Sequence, residues 1–255
     1  VGSACRLEIV DEHGKLVKRM AQFWGDPHVF QFVDAPDGSI NLLAARRING
    51  THRVIVTNNQ TLNQSRGFYG VPSGHTYVGG WSSLNRYHLS YEDIDGDGVK
   101  EIISEINGSW NRVSVWDAVG TPKWDASFGP GKKATSRNMR DLVIADLDGD
   151  GKQEIITCTS SGLVVALTYN CQLLWSTRLA SPPNVMVKVT PPGEDLPWLV
   201  VGCDDGSVVA LDGTGEPVRS AKLDSRVQDI LIAGGDEPVA VMGSVKGQVA
   251  VFEIR

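Results

Sequence analysis

Apolar and polar residues alternate along most of this chain in short runs, and each run ends in a turn rich in Asp, Asn or Gly. Full copies of the pattern comprise an apolar strand, a polar turn and a second short strand, which is typical of a β-hairpin. The apolar runs that open these segments begin at Leu7, Val54, Val113, Val164, Val208 and Val249. Their starts are roughly 40 to 60 residues apart, which is the repeat length of propeller blades.

A second hairpin precedes most of these segments, so a full repeat contains four short strands. The preceding hairpins cover residues 29–45, 86–106, 140–159, 184–203 and 227–244. No stretch has a convincing helical period. Four short strands per repeat predict an all-β chain that forms a β-propeller of four-stranded antiparallel blades.

The two ends of the chain bear on the number of blades. The chain begins with what resembles the last two strands of a blade and ends with the first three strands of another. We therefore predict one propeller domain over residues 1–255, with six blades and termini that share one blade. A fragment of a seven- or eight-bladed propeller is the alternative, and separate β-sandwiches fit the regular spacing less well. Because the chain begins at Val1 rather than Met, we expect a processed product or part of a longer polypeptide.

Composition narrows the classes of partner and site. Charged residues make up 21% and hydrophobic residues 41% of the 255 residues, as in ordinary globular domains. The net charge of −6 argues against nucleic acid, and no apolar run is long enough to insert into a membrane. Four cysteines, Cys5, Cys158, Cys171 and Cys203, lack CxxC spacing, which leaves both disulfides and buried thiols open.

Two nearly identical acidic loops, at residues 93–105 and 146–158, are the strongest chemical signal in the sequence. Each places oxygen donors at alternate positions, with aspartates at positions 1, 3 and 5, a backbone carbonyl at 7 and a glutamate at 9. The predicted donors are Asp93, Asp95, Asp97, Val99 and Glu101 in the first loop, and Asp146, Asp148, Asp150, Lys152 and Glu154 in the second. Calcium binds six to eight such oxygens in flexible geometry, whereas magnesium requires a tighter octahedron. We therefore predict two Ca²⁺ sites, with metal-free Asp-Gly turns as the alternative.

An EF-hand does not fit these loops. Its twelfth position requires a bidentate glutamate, but Ser104 and Thr157 stand there. The residues after each loop are β-branched and alternating, so we expect turns between strands rather than between helices.

The loops "DIDGDGVKEI" and "DLDGDGKQEI" resemble the calcium loops of FG-GAP/VCBS-type repeats, the blades of integrin-α-like propellers. The resemblance covers residues of about 85 to 180. Phe128-Gly129-Pro130 includes the phenylalanine–glycine pair from which FG-GAP repeats take the first part of their name. It implies that the ten donors named above bind calcium. The turns in the other repeats keep little of this pattern, so those blades are expected to close without metal. Later repeats, such as "GCDDGSVVALDGTGEPV", are similar to quinoprotein-type propeller repeats.

No catalytic or nucleotide-binding motif is present in the sequence. A long insertion at residues 74–88 mixes residue types that bind sugars or proteins, and a solvated loop is its plainer interpretation. The candidate ligand-binding residues there are His75, Tyr77, Trp81, Arg86, Tyr87 and His88.

Taken together, these features predict a calcium-stabilised extracellular or cell-surface propeller that binds a glycan or a protein as part of a larger polypeptide or complex. A lyase-like, polysaccharide-degrading propeller and a structural subunit of a larger assembly are the alternatives.

Overall fold

The computed structural model describes residues 2–3, 6–20, 26–34, 38, 40–48, 51–58, 87–107, 110–118, 122–130, 137–235 and 237–254. Across these residues the secondary structure consists of twenty-one strands in six antiparallel sheets, without a helix. Accordingly, none of the described segments forms a helix with the length and apolar character needed to cross a bilayer. The contacts divide the chain into two units, Val1–Asp93 with Gly98–Arg137, and Ile94–Asp97 with Asn138–Arg255.

The first unit contains three sheets. Their strands are β1 (Gly2–Ser3), β2 (Arg6–Val10) and β3 (Leu16–Met20); β4 (Asp26–Asp34), β5 (Ile40–Ile48) and β6 (Thr51–Asn58); and β7 (Ser90–Glu92), β8 (Glu101–Ile106), β9 (Trp110–Trp116) and β10 (Pro122–Pro130). Each strand pairs with the next along the chain, as in a meander.

The second unit also contains three sheets. Their strands are β11 (Met139–Ala145), β12 (Glu154–Thr159), β13 (Leu163–Leu167) and β14 (Leu173–Arg178); β15 (Pro183–Val189), β16 (Trp198–Cys203), β17 (Ser207–Leu211) and β18 (Pro217–Lys222); and β19 (Val227–Ala233), β20 (Val239–Ser244) and β21 (Val249–Glu253). Three of the six sheets have the predicted four strands, and the other three have three strands among the described residues. The antiparallel sheets confirm the all-β prediction.

The first two sheets of the chain differ from the predicted repeats in their strands. The chain was expected to begin with two strands of a blade, but the two-residue strand β1 adds a third, with Gly2 paired to Leu7. The strand expected after β6 lies outside the described residues. That one domain spans the chain and that the termini share one blade stay predictions.

Equivalent hairpin turns in the second unit use different residues to achieve the same reversal. In the β17–β18 turn, Asp212 Oδ1 accepts hydrogen bonds from Thr214 N and Glu216 N, and Gly215 has a φ of 84°. The β13–β14 turn places Cys171 at the corresponding position with a φ of 64°, which is unusual for a residue other than glycine. The sequence pattern alone does not reveal that a thiol occupies this left-handed position.

Both faces of a sheet in the second unit are apolar, because alternate residues of each strand point to opposite sides. Ile156, Val164 and Ala166 lie in one buried cluster with Leu199 and Leu211 of the following sheet. The opposite face of that following sheet contributes to a second buried cluster, which contains Val200, Val208, Ala240 and Met242. The sheet β15–β18 therefore packs with the sheet before it through one face and with the sheet after it through the other.

Three of the four cysteines are described, and all three are buried and form no disulfide: Cys158, Cys171 and Cys203. Burial raises the pKa of the Cys203 thiol to about 12 and that of Cys158 well above its ordinary value. Such thiols remain protonated and unreactive near neutral pH. This favours the buried-thiol alternative for these three residues, and Cys5 lies outside the described part of the chain.

A polar link crosses between two sheets of the second unit. Asp141 on β11 accepts a hydrogen bond from Leu142 N through Oδ1, and its Oδ2 accepts one from Met186 N on β15 at 2.6 Å. Asp229 occupies the equivalent place on β19, where its Oδ1 accepts a hydrogen bond from Ile230 N. Each aspartate thus accepts a hydrogen bond from the N–H of the residue that follows it, and Asp141 also accepts one from the next sheet.

We expect Asp141→Ala to lower the free energy of unfolding by about 1–3 kcal/mol, because Met186 N loses its acceptor in a buried setting. Asp229→Ala is the matched control, since it removes only the local bond and should change stability by about 0.5 kcal/mol or less. Urea unfolding of both variants measures the difference. Equal losses would show that the Asp141–Met186 bond contributes nothing of its own.

Candidate functional site

The two acidic loops occupy equivalent places in their sheets. The first joins β7 to β8 and the second joins β11 to β12, so each connects the first two strands of a four-stranded sheet. Strands rather than helices flank both loops, as predicted. Gly98 and Gly151 take φ angles of 84° and 83°, which lets the backbone curl tightly at the same point in each loop.

The same hydrogen bonds hold both loops in shape. Asp93 Oδ2 accepts from Gly98 N at 2.8 Å, and Asp146 Oδ2 accepts from Gly151 N at 3.1 Å. Asp95 Oδ1 accepts a hydrogen bond from Asp97 N at 3.3 Å in the first loop. Asp148 Oδ1 accepts the matching bond from Asp150 N at 3.1 Å in the second. These bonds fix the carboxylates before any ligand arrives.

Three carboxylates converge in each loop. One oxygen from each of Asp93, Asp95 and Glu101 lies within 4.8 Å of the others, and Asp146, Asp148 and Glu154 form the matching group. These six are among the predicted donors. Asp97 and Asp150 lie outside the three-residue groups, and Asp150 Oδ1 instead accepts a hydrogen bond from Lys152 N at 2.8 Å. The carbonyls of Val99 and Lys152 remain predicted ligands.

The two groups differ in how the buried glutamate is balanced electrostatically. Glu101 forms an ion pair with Lys123, whose Nζ lies 2.7 Å from Oε1. Glu154 is 3% exposed, and its Oε2 accepts a hydrogen bond from Leu147 N at 2.8 Å. Burial raises the pKa of Glu154 to about 7, and the charges of Asp148, Asp150 and Asp146 add to this rise. The second group therefore favours a proton or a cation at neutral pH.

These donor sets fit a calcium ion in chemistry and in shape. Hard carboxylate oxygens are the ligands that calcium prefers, and a curled loop with several of them already positioned requires little rearrangement to bind. Burial and, to a smaller extent, the charges of three nearby aspartates raise the pKa of Glu154, and a bound cation would counter both effects.

The acidic loops also lie against neighbouring turns within the second unit. Gln153 N donates a 2.9 Å hydrogen bond to the carbonyl of Ile94, a fully buried residue at the second position of the first loop. On the other side, Gly213 approaches the second loop so closely that a Cβ there would lie 2.2 Å from the Leu147 carbonyl oxygen. The second loop is thus held from both sides by backbone contacts.

The predicted ligand-binding segment lies mostly outside the described residues, which exclude His75, Tyr77, Trp81 and Arg86. Tyr87 and His88 are described and half-buried. Their backbone N–H groups donate to the two carboxylate oxygens of Glu105 at 2.8 and 3.0 Å, and His88 Nδ1 lies 3.2 Å from Glu105 Oε1.

Glu105 is a buried residue that sequence reasoning missed. It is fully buried on β8, where it anchors the end of the insertion. The available signal was a second charged residue, Glu105, near the end of the strand run "EIISEI". Arg137 stacks over the Tyr87 ring at 4.8 Å from its centroid, which further fixes this end of the segment.

The model of one protein family, described as the lambda-carrageenase beta-propeller domain, matches residues 115–238, slightly less than half of the chain. No curated protein matches the sequence.

Among solved structures, BBS1N in complex with ARL6DN shows a TM-score of 0.65 at 12% identity, covering 100% of this chain and 74% of that one. The Dos1 propeller also gives 0.65, at 10% identity, covering 99% of this chain and 64% of that one. Together with the sheet architecture, these matches show that the chain is a β-propeller domain, which confirms the predicted fold class.

In the presence of a chelator, we expect Glu154→Gln to raise the free energy of unfolding above pH 7 by about 1–3 kcal/mol. The pKa of Glu154 is about 7 in the folded chain and near 4.5 when unfolded, so the folded state binds more protons between these values and stability falls as the pH rises through this window. The advantage of the variant should therefore disappear towards pH 4.5. Chemical denaturation across pH 4.5–8.5 measures it.

Glu101→Gln is the matched control for this experiment, because it breaks the ion pair with Lys123. It should give no gain in stability at any pH in the series. A loss of stability in Glu154→Gln over the whole range would contradict the expectation.

Proposed function

We propose that this propeller is a calcium-stabilised binding module for a glycan or protein partner, working outside the cell as part of a larger polypeptide or complex. The observation that supports it best is the pair of acidic loops, each with three converging carboxylates in the same hydrogen-bonded frame. The likeness of these loops to FG-GAP/VCBS-type calcium loops supports the same proposal.

Calcium would act on stability rather than on chemistry in this proposal. Asp146, Asp148 and Glu154 would hold the ion in the second loop, and Asp93, Asp95 and Glu101 would hold it in the first. The ion would neutralise carboxylates that otherwise repel one another at the turn between the first two strands of a sheet. A ligand that binds only the folded state stabilises it by about 2.7 kcal/mol at a hundredfold excess over Kd.

The extracellular location follows from the affinity that such loops would have. Calcium modules outside the cell bind in the range of about 10⁻⁴–10⁻³ M, and the likeness of these loops to those of integrin-α-like propellers supports such affinities under this proposal. At these affinities the sites would fill in an extracellular medium.

The partner class rests on the fold. Propellers present loops at the ends of their sheets, and loops held by a rigid scaffold are common binding elements. BBS1N, which shares this fold, was crystallised in complex with ARL6DN, and the matching family model belongs to a carrageenase. A protein and a glycan are therefore the two partner classes to test.

We expect millimolar calcium to raise the melting temperature of the chelator-treated chain by about 5–10 °C, because two sites bind only the folded state. Isothermal titration calorimetry should show two calcium ions bound for each chain. Asp146→Asn combined with Asp148→Asn should leave one, since the first loop remains intact.

The control is Asp212→Asn, which changes an aspartate in a hairpin turn outside both carboxylate groups. It should retain both ions. Absence of calcium binding in the unmodified chain, or two ions in the doubly substituted chain, would overturn the proposal.

A second candidate function is a propeller that carries or supports cleavage of a polysaccharide. The family match supports this candidate, because the matching model describes the propeller domain of a carrageenase. The residues that would serve it lie in the insertion that ends at Tyr87 and His88.

A binding module should retain acidic polysaccharides, including carrageenan, on affinity electrophoresis without releasing cleavage products. His75→Ala, Arg86→Ala and His88→Ala should weaken retention, whereas His13→Ala, in an exposed hairpin turn, should not. Cleavage products that disappear in the first three variants would instead establish the enzymatic function. Retention of none of the polysaccharides would leave a protein as the partner class.

A further inference from the structure

The last sheet of the second unit, β19–β21, exposes an apolar face. Leu231, Val249 and Val251 are 63%, 70% and 63% exposed, and Val241 lies half-buried among them. We call these four residues the open face. Exposed contiguous apolar surface of this kind usually marks an interaction site.

Strand register shows which residues of the other two sheets correspond to the open face. Val241 pairs with Val251, just as Val200 pairs with Ala210 and Ile156 with Ala166. One step along, Gly243 pairs with Val249, as Gly202 pairs with Val208 and Cys158 with Val164. On the first strand of each sheet, Leu231 matches Val187 and Val143.

In the two preceding sheets the corresponding residues of the second and third strands are buried by the next sheet. Val164 and Val208, which correspond to Val249, are both 0% exposed. Val164 lies in the cluster with Leu199 and Leu211, and Val208 lies in the cluster with Ala240 and Met242. The same face thus serves twice as the surface on which the following sheet packs.

Polar atoms of the last sheet repeat this pattern. Asp229, at the edge of the open face, matches Asp141, whose Oδ2 accepts a hydrogen bond from Met186 N of the following sheet. In addition, β21 pairs only with β20 within the described residues, whereas the equivalent strands β13 and β17 each pair with a fourth strand. The open face, the carboxylate of Asp229 and the outer side of β21 therefore each correspond to a group that contacts a neighbouring strand or sheet elsewhere in the unit.

We propose that the open face is an inter-blade interface that receives a further blade of the same repeat. The occupant would add a fourth strand beside β21, on the side away from β20, and would pack the back face of a new sheet on the open face. Its chemistry is given by the two back faces already seen, which alternate small and bulky apolar residues as in Ala240, Met242 and Phe252. A flexible peptide would fill the strand edge but would leave Leu231 on the first strand uncovered.

The test is to supply such a blade and to measure whether the face becomes buried. A duplicate of residues 213–255 is joined directly after Glu253, which occupies the place of Asp212 at the start of the turn. The reporter is Val251→Cys, studied in a Cys5→Ser background, since the three described native thiols are buried. The matched control is Leu173→Cys on β14, which is 66% exposed at the outer edge of a complete sheet.

We expect the thiol at position 251 to react rapidly with maleimide in the 255-residue chain and at least about tenfold more slowly in the extended chain. The thiol at position 173 should react at the same rate in both chains. Met242→Asp within the appended copy places a charge on the new back face, so it should restore rapid labelling at position 251.

Continued rapid labelling at position 251 in the extended chain overturns the proposal, whether the added residues stay unfolded or fold elsewhere. Slow labelling in the 255-residue chain also overturns it, because the face would then be covered already. If this slow labelling accompanies a dimer in sedimentation, a second copy of the chain is the occupant instead.

Discussion

The physical constraint on which this structure depends is that each sheet of the second unit has two apolar faces. A sheet with one apolar face can leave its other side in water, but Val200 and Val201 point to opposite sides of β16 and both are fully buried. Burying both faces of such a sheet requires a neighbouring sheet on each side. The near-continuous apolar runs in the sequence, the shared clusters and the Asp141–Met186 hydrogen bond all follow from this need.

Packing between sheets also determines where the acidic loops lie. Because each loop connects the first two strands of a sheet, its position is fixed by the residues buried on either side of it. Leu147 and Ile94, at the second position of each loop, are buried and hold the loops to the body of the protein. The aspartates around them project from a rigid base, and the backbone N–H bonds to Asp93 and Asp146 remove much of the remaining freedom. Carboxylates that are held together in this way favour a cation between them.

Local features of the structure could be predicted from the sequence, and long-range features could not. The hairpins and the acidic turns depend on residues within about ten positions, so alternation and Asp-Gly turns were sufficient to place them. The Glu101–Lys123 ion pair joins residues 22 positions apart, and the Asp141–Met186 bond joins residues 45 positions apart. Nothing in either local pattern signals these pairs. Glu105 was missed for the same reason, because its hydrogen-bond partners, Tyr87 N and His88 N, lie 17–18 residues earlier, in the segment that precedes β7.

The lysine beside the first loop makes the two acidic turns unequal despite their nearly identical sequences. Its ammonium group already supplies one positive charge to Glu101, so a divalent ion would have to compete with it. Glu154 instead accepts a hydrogen bond from Leu147 N and lies close to the charges of Asp146, Asp148 and Asp150. Under the proposed function, the two sites would differ in strength and would fill one after the other as the calcium concentration rises. A chain of this design would stiffen in two stages, and its response to calcium would extend over a wider concentration range than a pair of equal sites could give.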